Sequence, residues 1–130
     1  MAKYFSAEEM ACRCCGSLGD GIDVRLQNLL DAIRERVGAP VNVSCVYRCP
    51  EHNAEVGGVP GSQHTLGTAA DIARPDYLTM GEFEWYVRQL PFDGVGVYHA
   101  DAGDFIHVDV RDGGVSGGYN WEEGSASYDY

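Results

Sequence analysis

The sequence predicts an α+β fold, a small single domain in which helices pack on one mostly antiparallel sheet. Its 130 residues suit one hydrophobic core, and we treat residues 1–130 as one domain. Glycine, with 17 residues, predicts many turns and short elements rather than a bundle of long helices. Helical and strand patterns do not alternate regularly, and the last two strands are predicted to form a hairpin.

The strongest helical pattern covers residues 22–37. Its apolar residues recur at helical spacing, so one face of this helix is expected to pack on the core. Asp20 or Asp23 lies near its start, and Gly38 followed by Pro40 ends it. The apolar stripe consists of Ile22, Leu26, Leu29, Leu30, Ile33 and Val37.

Shorter helices are predicted from their first turns. In a capping box, a hydroxyl side chain and a Glu three residues later bond each other's backbone amides. Ser6 with Glu9 predicts a short N-terminal helix, and Thr79 with Glu82 predicts a later one. Pro50 is suited to the first position of a further short helix.

Four segments are predicted to be strands. Residues 41–47 are rich in β-branched side chains, and residues 69–73 are short and apolar. Residues 94–98 and 105–110 follow, joined by a turn over residues 101–103. Helices packed on a hairpin-rich sheet are the α+β arrangement.

The formal net charge of −11 excludes some partners. No basic surface exists to neutralise phosphates, so we expect neither nucleic-acid binding nor docking on anionic membranes. No apolar run reaches the length of a membrane span, and the N-terminus lacks the apolar core of a signal peptide. We expect a monomer that is cytoplasmic on synthesis. The Gly- and Ser-rich acidic tail, residues 112–130, is expected to be partly ordered, with Trp121 as its anchor.

Two separated stretches carry residues that point to a metal. His64 and Asp71 lie on either side of Gly67, which lets the chain turn between them, and His107 follows far downstream. Two imidazoles and one carboxylate form the ligand set of an open zinc site, which keeps a position for water. Zinc would lower the pKa of that water to near neutral pH and make hydroxide available for attack. We predict one catalytic Zn²⁺ held by these three residues.

The strand that carries His107 offers further candidates. Asp109 shares a strand face with His107 and can hydrogen-bond its imidazole. Asp104, three residues before His107, is the candidate carboxylate for proton transfer. Regular strand alternation places Asp104 on the opposite face, so this role requires a bend or bulge near Gly103.

Arg48 follows the strand 41–47 and is a candidate for holding a substrate carboxylate or a developing oxyanion. Plainer interpretations exist, since His107 can be a hydrogen-bonded sheet residue and Arg48 a surface ion-pair partner. His52 and His99 are expected to be exposed or capping residues. Neither the HExxH helix of metalloproteases nor the GxSxG turn of serine hydrolases occurs.

The five cysteines, an odd number, cannot all be paired within one chain. We expect reduced, partly buried thiols, because we place the protein in a cytoplasm. A local disulfide or a structural metal is the alternative. These residues are Cys12, Cys14, Cys15, Cys45 and Cys49.

Together the two stretches resemble the D-alanyl-D-alanine carboxypeptidase family of zinc peptidases, which shares its fold with the hedgehog signalling domain. The similarity also covers the helix 22–37 and residues 47–53. The residues that carry the resemblance are Ser62, His64, Gly67, Ala69 and Asp71, then His107 and Asp109. The family includes peptidoglycan carboxypeptidases, D-Ala-D-Ala dipeptidases and phage endolysins.

The resemblance implies roles for individual residues. His64, Asp71 and His107 match the family's zinc ligands. Asp104 falls where the family carries its catalytic acid/base, and Arg48 matches the arginine that faces the substrate.

Ser62 matches a motif residue near the metal, and Tyr47 matches one near the substrate. Asp109 is placed to hydrogen-bond the imidazole of a metal ligand. One departure concerns the residue before Tyr47, where the family has a glycine and this chain has Val46. A larger side chain there would crowd the cleft or shift the following arginine.

The leading hypothesis is therefore a zinc-dependent peptidase that acts on peptidoglycan stem peptides, of phage or prophage origin and released to the cell wall. A carboxypeptidase that releases D-Ala and an endolysin-type endopeptidase both fit. The alternative is a non-catalytic zinc-binding module of the same fold, used for cell-wall recognition or as a phage structural component. An intracellular dipeptidase or amidase on another substrate is a third hypothesis.

Overall fold

The computed structural model describes residues 2–58, 61–100, 103–111 and 119–122. Its helices are α1 (Ala7–Met10), α2 (Val24–Val37), α3 (Pro50–Glu55), a 3₁₀ helix (Gln63–Leu66) and α4 (Met80–Arg88). Its strands are β1 (Val43–Cys45), β2 (Ala69–Ala73), β3 (Gly94–Ala100), β4 (Gly103–Asp109) and β5 (Tyr119–Glu122). The α+β fold predicted from the sequence is confirmed.

The five strands form one sheet in the order β1-β2-β4-β3-β5. The pairs β1–β2, β2–β4 and β4–β3 are antiparallel, whereas β5 pairs in parallel with β3. The β5 strand lies in the segment that we expected only to be a partly ordered tail. The rest of that tail, and most of the turn predicted at 101–103, lies outside the described residues.

The ends of the helices follow the predicted capping residues. The Asp23 side chain accepts hydrogen bonds from the backbone amides of Arg25 and Leu26, so α2 begins at Val24. Gly38 ends α2 in the left-handed conformation, with φ of +74°. Both predicted capping boxes, at the start of α1 and of α4, are present.

The hydrophobic core lies between the sheet and the helices α2 and α4. Ala70 of β2, Val108 of β4 and Val95 of β3 lie side by side in the strand register and are all buried in this core. Because strand side chains alternate between faces, the neighbouring residues Asp71 and His107 lie on the other face. Within the described residues, no helix has the length and apolar character needed to cross a membrane.

Candidate metal centre

The sheet brings Asp71 and His107 together directly. They are partners across the β2–β4 ladder, so their side chains leave the same face at the same level. His64 reaches the same point from the 3₁₀ helix before β2. All three side chains are buried.

One carboxylate oxygen of Asp71 lies between the two imidazoles. Asp71 Oδ1 is 3.2 Å from His64 Nε2 and 3.1 Å from His107 Nδ1. The imidazole rings meet edge to face, with centroids 5.1 Å apart. A tetrahedral zinc ion with N and O ligands spaces neighbouring donor atoms about 3.4 Å apart. The donor set therefore fits zinc in its chemistry, and the two distances to Asp71 fit the spacing of neighbouring ligands.

The other nitrogen of each imidazole is bound to a fixed oxygen. His64 Nδ1 lies 2.8 Å from the Val46 carbonyl oxygen, and His107 Nε2 lies 2.9 Å from Asp109 Oδ2. Neither acceptor carries a proton at neutral pH, so each nitrogen acts as the donor. The lone pairs of His64 Nε2 and His107 Nδ1 then point towards Asp71, as metal ligation requires.

Asp109 is in turn held by neighbours. Arg111 donates to both of its carboxylate oxygens, at 2.9 and 2.6 Å. Gly94 faces it across the β3–β4 ladder, where a Cβ atom would overlap the carboxylate. A glycine at this position therefore makes the room that Asp109 occupies.

Local backbone structure positions His64. Ser62 caps the 3₁₀ helix, and its hydroxyl accepts a hydrogen bond from the His64 amide. Gly67 ends the helix in the left-handed region, with φ of +72°. A Cβ there would overlap the carbonyl oxygen of Gly21. Glycine is thus required both for this turn and for close packing.

The cluster is strongly coupled electrostatically. Burial alone would lower the pKa of His64, but the charge and hydrogen bond of Asp71 raise it to about 9. Burial would raise the pKa of Asp71, but both imidazoles lower it below its ordinary range. For Asp109, hydrogen bonds from His107 and Arg111 outweigh burial and lower the pKa to about 2. Without a metal, the site thus favours an imidazolium–carboxylate pair between His64 and Asp71.

Arg48 lies beside the cluster, whereas Tyr47 belongs to the core. The Arg48 side chain is buried, with its guanidinium 3.4 Å from the Ser62 hydroxyl, and its amide donates to the His64 carbonyl. The Tyr47 ring packs against Gly19 in the hydrophobic core. The structure thus joins Arg48 and Ser62 to the segment that carries His64.

Asp104 does not turn towards His107 through a bulge. The β3–β4 pairing is regular from Gly94 opposite Asp109 to Ala100 opposite Gly103. The Asp104 carboxylate lies 3.5 Å from His99 Nδ1, at the exposed end of the hairpin. The bend expected near Gly103 is therefore absent from this ladder.

Sequence reasoning missed one neighbour of the site. Cys45 lies opposite Asp71 in the β1–β2 pairing, and its sulfur is 3.5 Å from His64 Nδ1. Ligand atoms of Cys45, His64 and Asp71 all lie within 4.8 Å of one another, so Cys45 is close enough to share a metal ion with these two residues. This contact depends on strand pairing, which no local pattern reveals.

A buried cluster of two imidazoles and a carboxylate on the sheet face is a donor set that metal-dependent hydrolases use. The family model described as Peptidase M15 matches residues 3–109, so the chain belongs to the peptidase M15 family. The resemblance found in the sequence is thus confirmed. Membership implies a zinc-dependent peptidase that acts on peptidoglycan-type substrates. No curated protein matches the chain.

Proposed function

We propose that this protein hydrolyses peptidoglycan stem peptides with a zinc-activated water, as a D-Ala-D-Ala-type carboxypeptidase or an endolysin-type endopeptidase. The observation that carries the proposal is the convergence of His64, Asp71 and His107, with the remote nitrogen of each imidazole bound to a fixed oxygen. Such an arrangement supports a preformed metal site. The protein would act as a monomer on the wall after release from the cell that made it.

The residues divide into metal-holding and substrate-holding groups. His64, Asp71 and His107 would hold a zinc ion, which when bound polarises a carbonyl and lowers the pKa of water. Arg48 would bind the terminal carboxylate or the scissile carbonyl of the peptide, because a guanidinium suits both. Asp104 would accept a proton from the attacking water and pass it to the leaving amine, a role that requires β4 to bend near Gly103 when substrate binds.

A non-catalytic wall-binding module is the second candidate function. The regular β3–β4 register favours it, because strand alternation leaves Asp104 on the face opposite His107. A binding module needs the ligands and a substrate-holding arginine but no proton shuttle. The two candidates therefore differ in what Asp104 does.

The test compares zinc content and peptidoglycan digestion for the wild type, His64→Ala and Asp104→Asn. We expect His64→Ala to lose zinc relative to the wild type. Asp104→Asn should keep its zinc but cleave roughly 10²- to 10⁴-fold more slowly, since it cannot transfer the proton. Asp76→Asn, an exposed loop variant with the same charge change, should match the wild type.

Each other outcome has a definite meaning. Equal zinc in the wild type and His64→Ala would refute the metal site. A wild type that binds zinc at His64 yet releases no peptide fragment would favour the binding module. Equal cleavage by the wild type and Asp104→Asn would leave the peptidase standing but remove Asp104 from it. Mass spectrometry of the fragments identifies the bond that is cut.

A further inference from the structure

A second group of metal-ligating side chains lies outside the His–Asp–His cluster and has no part in the proposed hydrolysis. The sulfur atoms of Cys12, Cys14, Cys15 and Cys49, here called the thiol cluster, all lie within 4.8 Å of one another. Cys14 Sγ is 3.5 Å from Cys12 Sγ and 3.4 Å from Cys49 Sγ. We propose that the thiol cluster binds a structural zinc ion through four sulfur ligands.

The sulfur separations suit a shared metal better than a disulfide. With Zn–S bonds of about 2.3 Å, a tetrahedral site spaces its sulfurs about 3.8 Å apart. A disulfide bond joins only two sulfur atoms, which lie about 2.05 Å apart. Here four free thiols lie close together, and a set of four soft sulfur ligands favours zinc in tetrahedral geometry.

The backbone presents three of the thiols in a tight loop. The Gly16 amide donates to the Cys12 carbonyl, and the Cys12 amide donates to the Ser17 carbonyl, each at 2.8 Å. The Arg13 guanidinium donates to the Val43 carbonyl of β1 at 3.2 Å. These bonds hold the loop against the strand that leads to Cys49. The thiol cluster is thus built by the fold rather than by a flexible tail.

Backbone amides also point at the sulfur atoms. The Cys49 amide donates to Cys12 Sγ, and the His52 amide donates to Cys49 Sγ, both at 3.4 Å. Burial opposes the Cys12 thiolate, yet the Cys49 amide and the neighbouring thiols lower its pKa to about 6. Hydrogen bonds to Cys49 and Cys12 raise the pKa of Cys14. Amide donors of this kind orient and stabilise thiolate ligands.

A zinc ion here would join two distant parts of the chain. Cys12, Cys14 and Cys15 belong to the segment between α1 and α2, whereas Cys49 precedes α3 and directly follows Arg48. Because the unfolded chain has no preformed site, metal binding contributes to folding stability. The role is therefore structural: the ion would fix the segment of Arg48 against the N-terminal part of the domain.

The experiment measures zinc per chain and the absorption of cobalt-substituted protein for the wild type, Cys14→Ser, Cys45→Ser and His64→Ala. We expect Cys14→Ser to hold one zinc ion fewer than the wild type and to lose the cobalt–thiolate charge-transfer band. Cys45→Ser is the matched control, since Cys45 lies outside the thiol cluster, and it should keep the band. His64→Ala should also keep it, which separates this site from the His–Asp–His cluster.

Several results would overturn the proposal. A zinc X-ray absorption spectrum of the wild type tests the proposal without any variant. If that spectrum shows no sulfur ligands at about 2.3 Å, the proposal is refuted, even where Cys14→Ser does not fold. Loss of the cobalt band in Cys45→Ser but not in Cys14→Ser would place the thiolate ligand beside His64 instead. An intact disulfide between two thiol-cluster residues in the unreduced protein would equally exclude the site.

Discussion

At the scale of single residues, the candidate metal centre depends on atoms that never touch the metal. The Val46 carbonyl and the Asp109 carboxylate each hold one nitrogen of an imidazole. They fix the ring orientation of His64 and His107, so metal binding displaces a proton but requires no rotation of either ring. Metal affinity should therefore respond to these two acceptors as well as to the ligands.

Replacing Asp109 tests this dependence. Asp109→Asn removes the charge that faces His107 Nε2 and Arg111. We expect zinc affinity at the His–Asp–His cluster to fall roughly 10- to 100-fold, measured by competition with a chelator. Glu84→Gln, which removes one negative charge from an exposed pair with Arg88, should leave the affinity unchanged. Equal affinities for Asp109→Asn and the wild type would contradict the orienting role.

The sequence predicted these residues unevenly. His64, Asp71 and His107 were predicted from residue type and from the family resemblance, and the structure brings them together. The pairing of Asp109 with His107 follows from strand alternation and was also predicted. Cys45 could not be associated with Asp71, because that contact exists only through the β1–β2 pairing. The role of Asp104 stays a prediction.

At the scale of elements, strand β3 supports the site because two of its residues that face the site are glycines without side chains. Gly96 faces His107 and Gly94 faces Asp109 across the β3–β4 ladder. A side chain at Gly94 would occupy the space of the carboxylate. The strand is therefore shaped around its neighbour's side chains.

Gly94→Ala makes the dependence measurable. We expect a loss of unfolding free energy of about 1–3 kcal/mol from overpacking, together with weaker zinc binding as Asp109 moves. The control is Gly81→Ala in α4, where a Cβ atom meets only the Thr79 hydroxyl at 4.0 Å. That variant should be neutral or slightly stabilised, because alanine favours helix. Chemical denaturation and chelator competition report the two effects; an unchanged Gly94→Ala would show that Asp109 has room to shift.

Elements with local signals were predicted well, and those set by tertiary pairing were not. The capping boxes and Gly38 fixed helix ends because caps act within one turn. The strand predicted over 41–47 is only β1, Val43–Cys45, because its pairing with β2 is irregular. The 3₁₀ helix of His64 was not predicted. The parallel strand β5 has no local signal at all.

At the scale of the whole molecule, pH should act on the metal-free protein through the His–Asp–His cluster. The pKa of His64 is raised from 6.5 to about 9, so its contribution to stability is complete below about pH 6.5 and disappears as pH rises through 9. The pKa of Asp71 is lowered, so its contribution disappears as pH falls below about 3.8. The metal-free protein should thus lose stability between pH 6.5 and 9.

Thermal unfolding in the presence of a chelator, at several pH values, measures this effect. We expect Tm to fall from pH 6.5 to 9 more steeply in the wild type than in His64→Gln. The variant keeps every cysteine, so thiol titration contributes equally to both proteins. Parallel curves for the two proteins would mean that the imidazolium–carboxylate pair does not stabilise the metal-free fold.

Five consecutive residues, Cys45 to Cys49, connect the two candidate metal clusters. Val46 offers its carbonyl to His64, Arg48 lies beside Ser62, and Cys49 joins the thiol cluster. An insertion or deletion of one residue between Val46 and Cys49 would displace one end by up to about 3.8 Å. Neither cluster tolerates such a displacement while the other stays in place. In this segment, the number of residues is therefore constrained as well as the identity of Arg48 and Cys49.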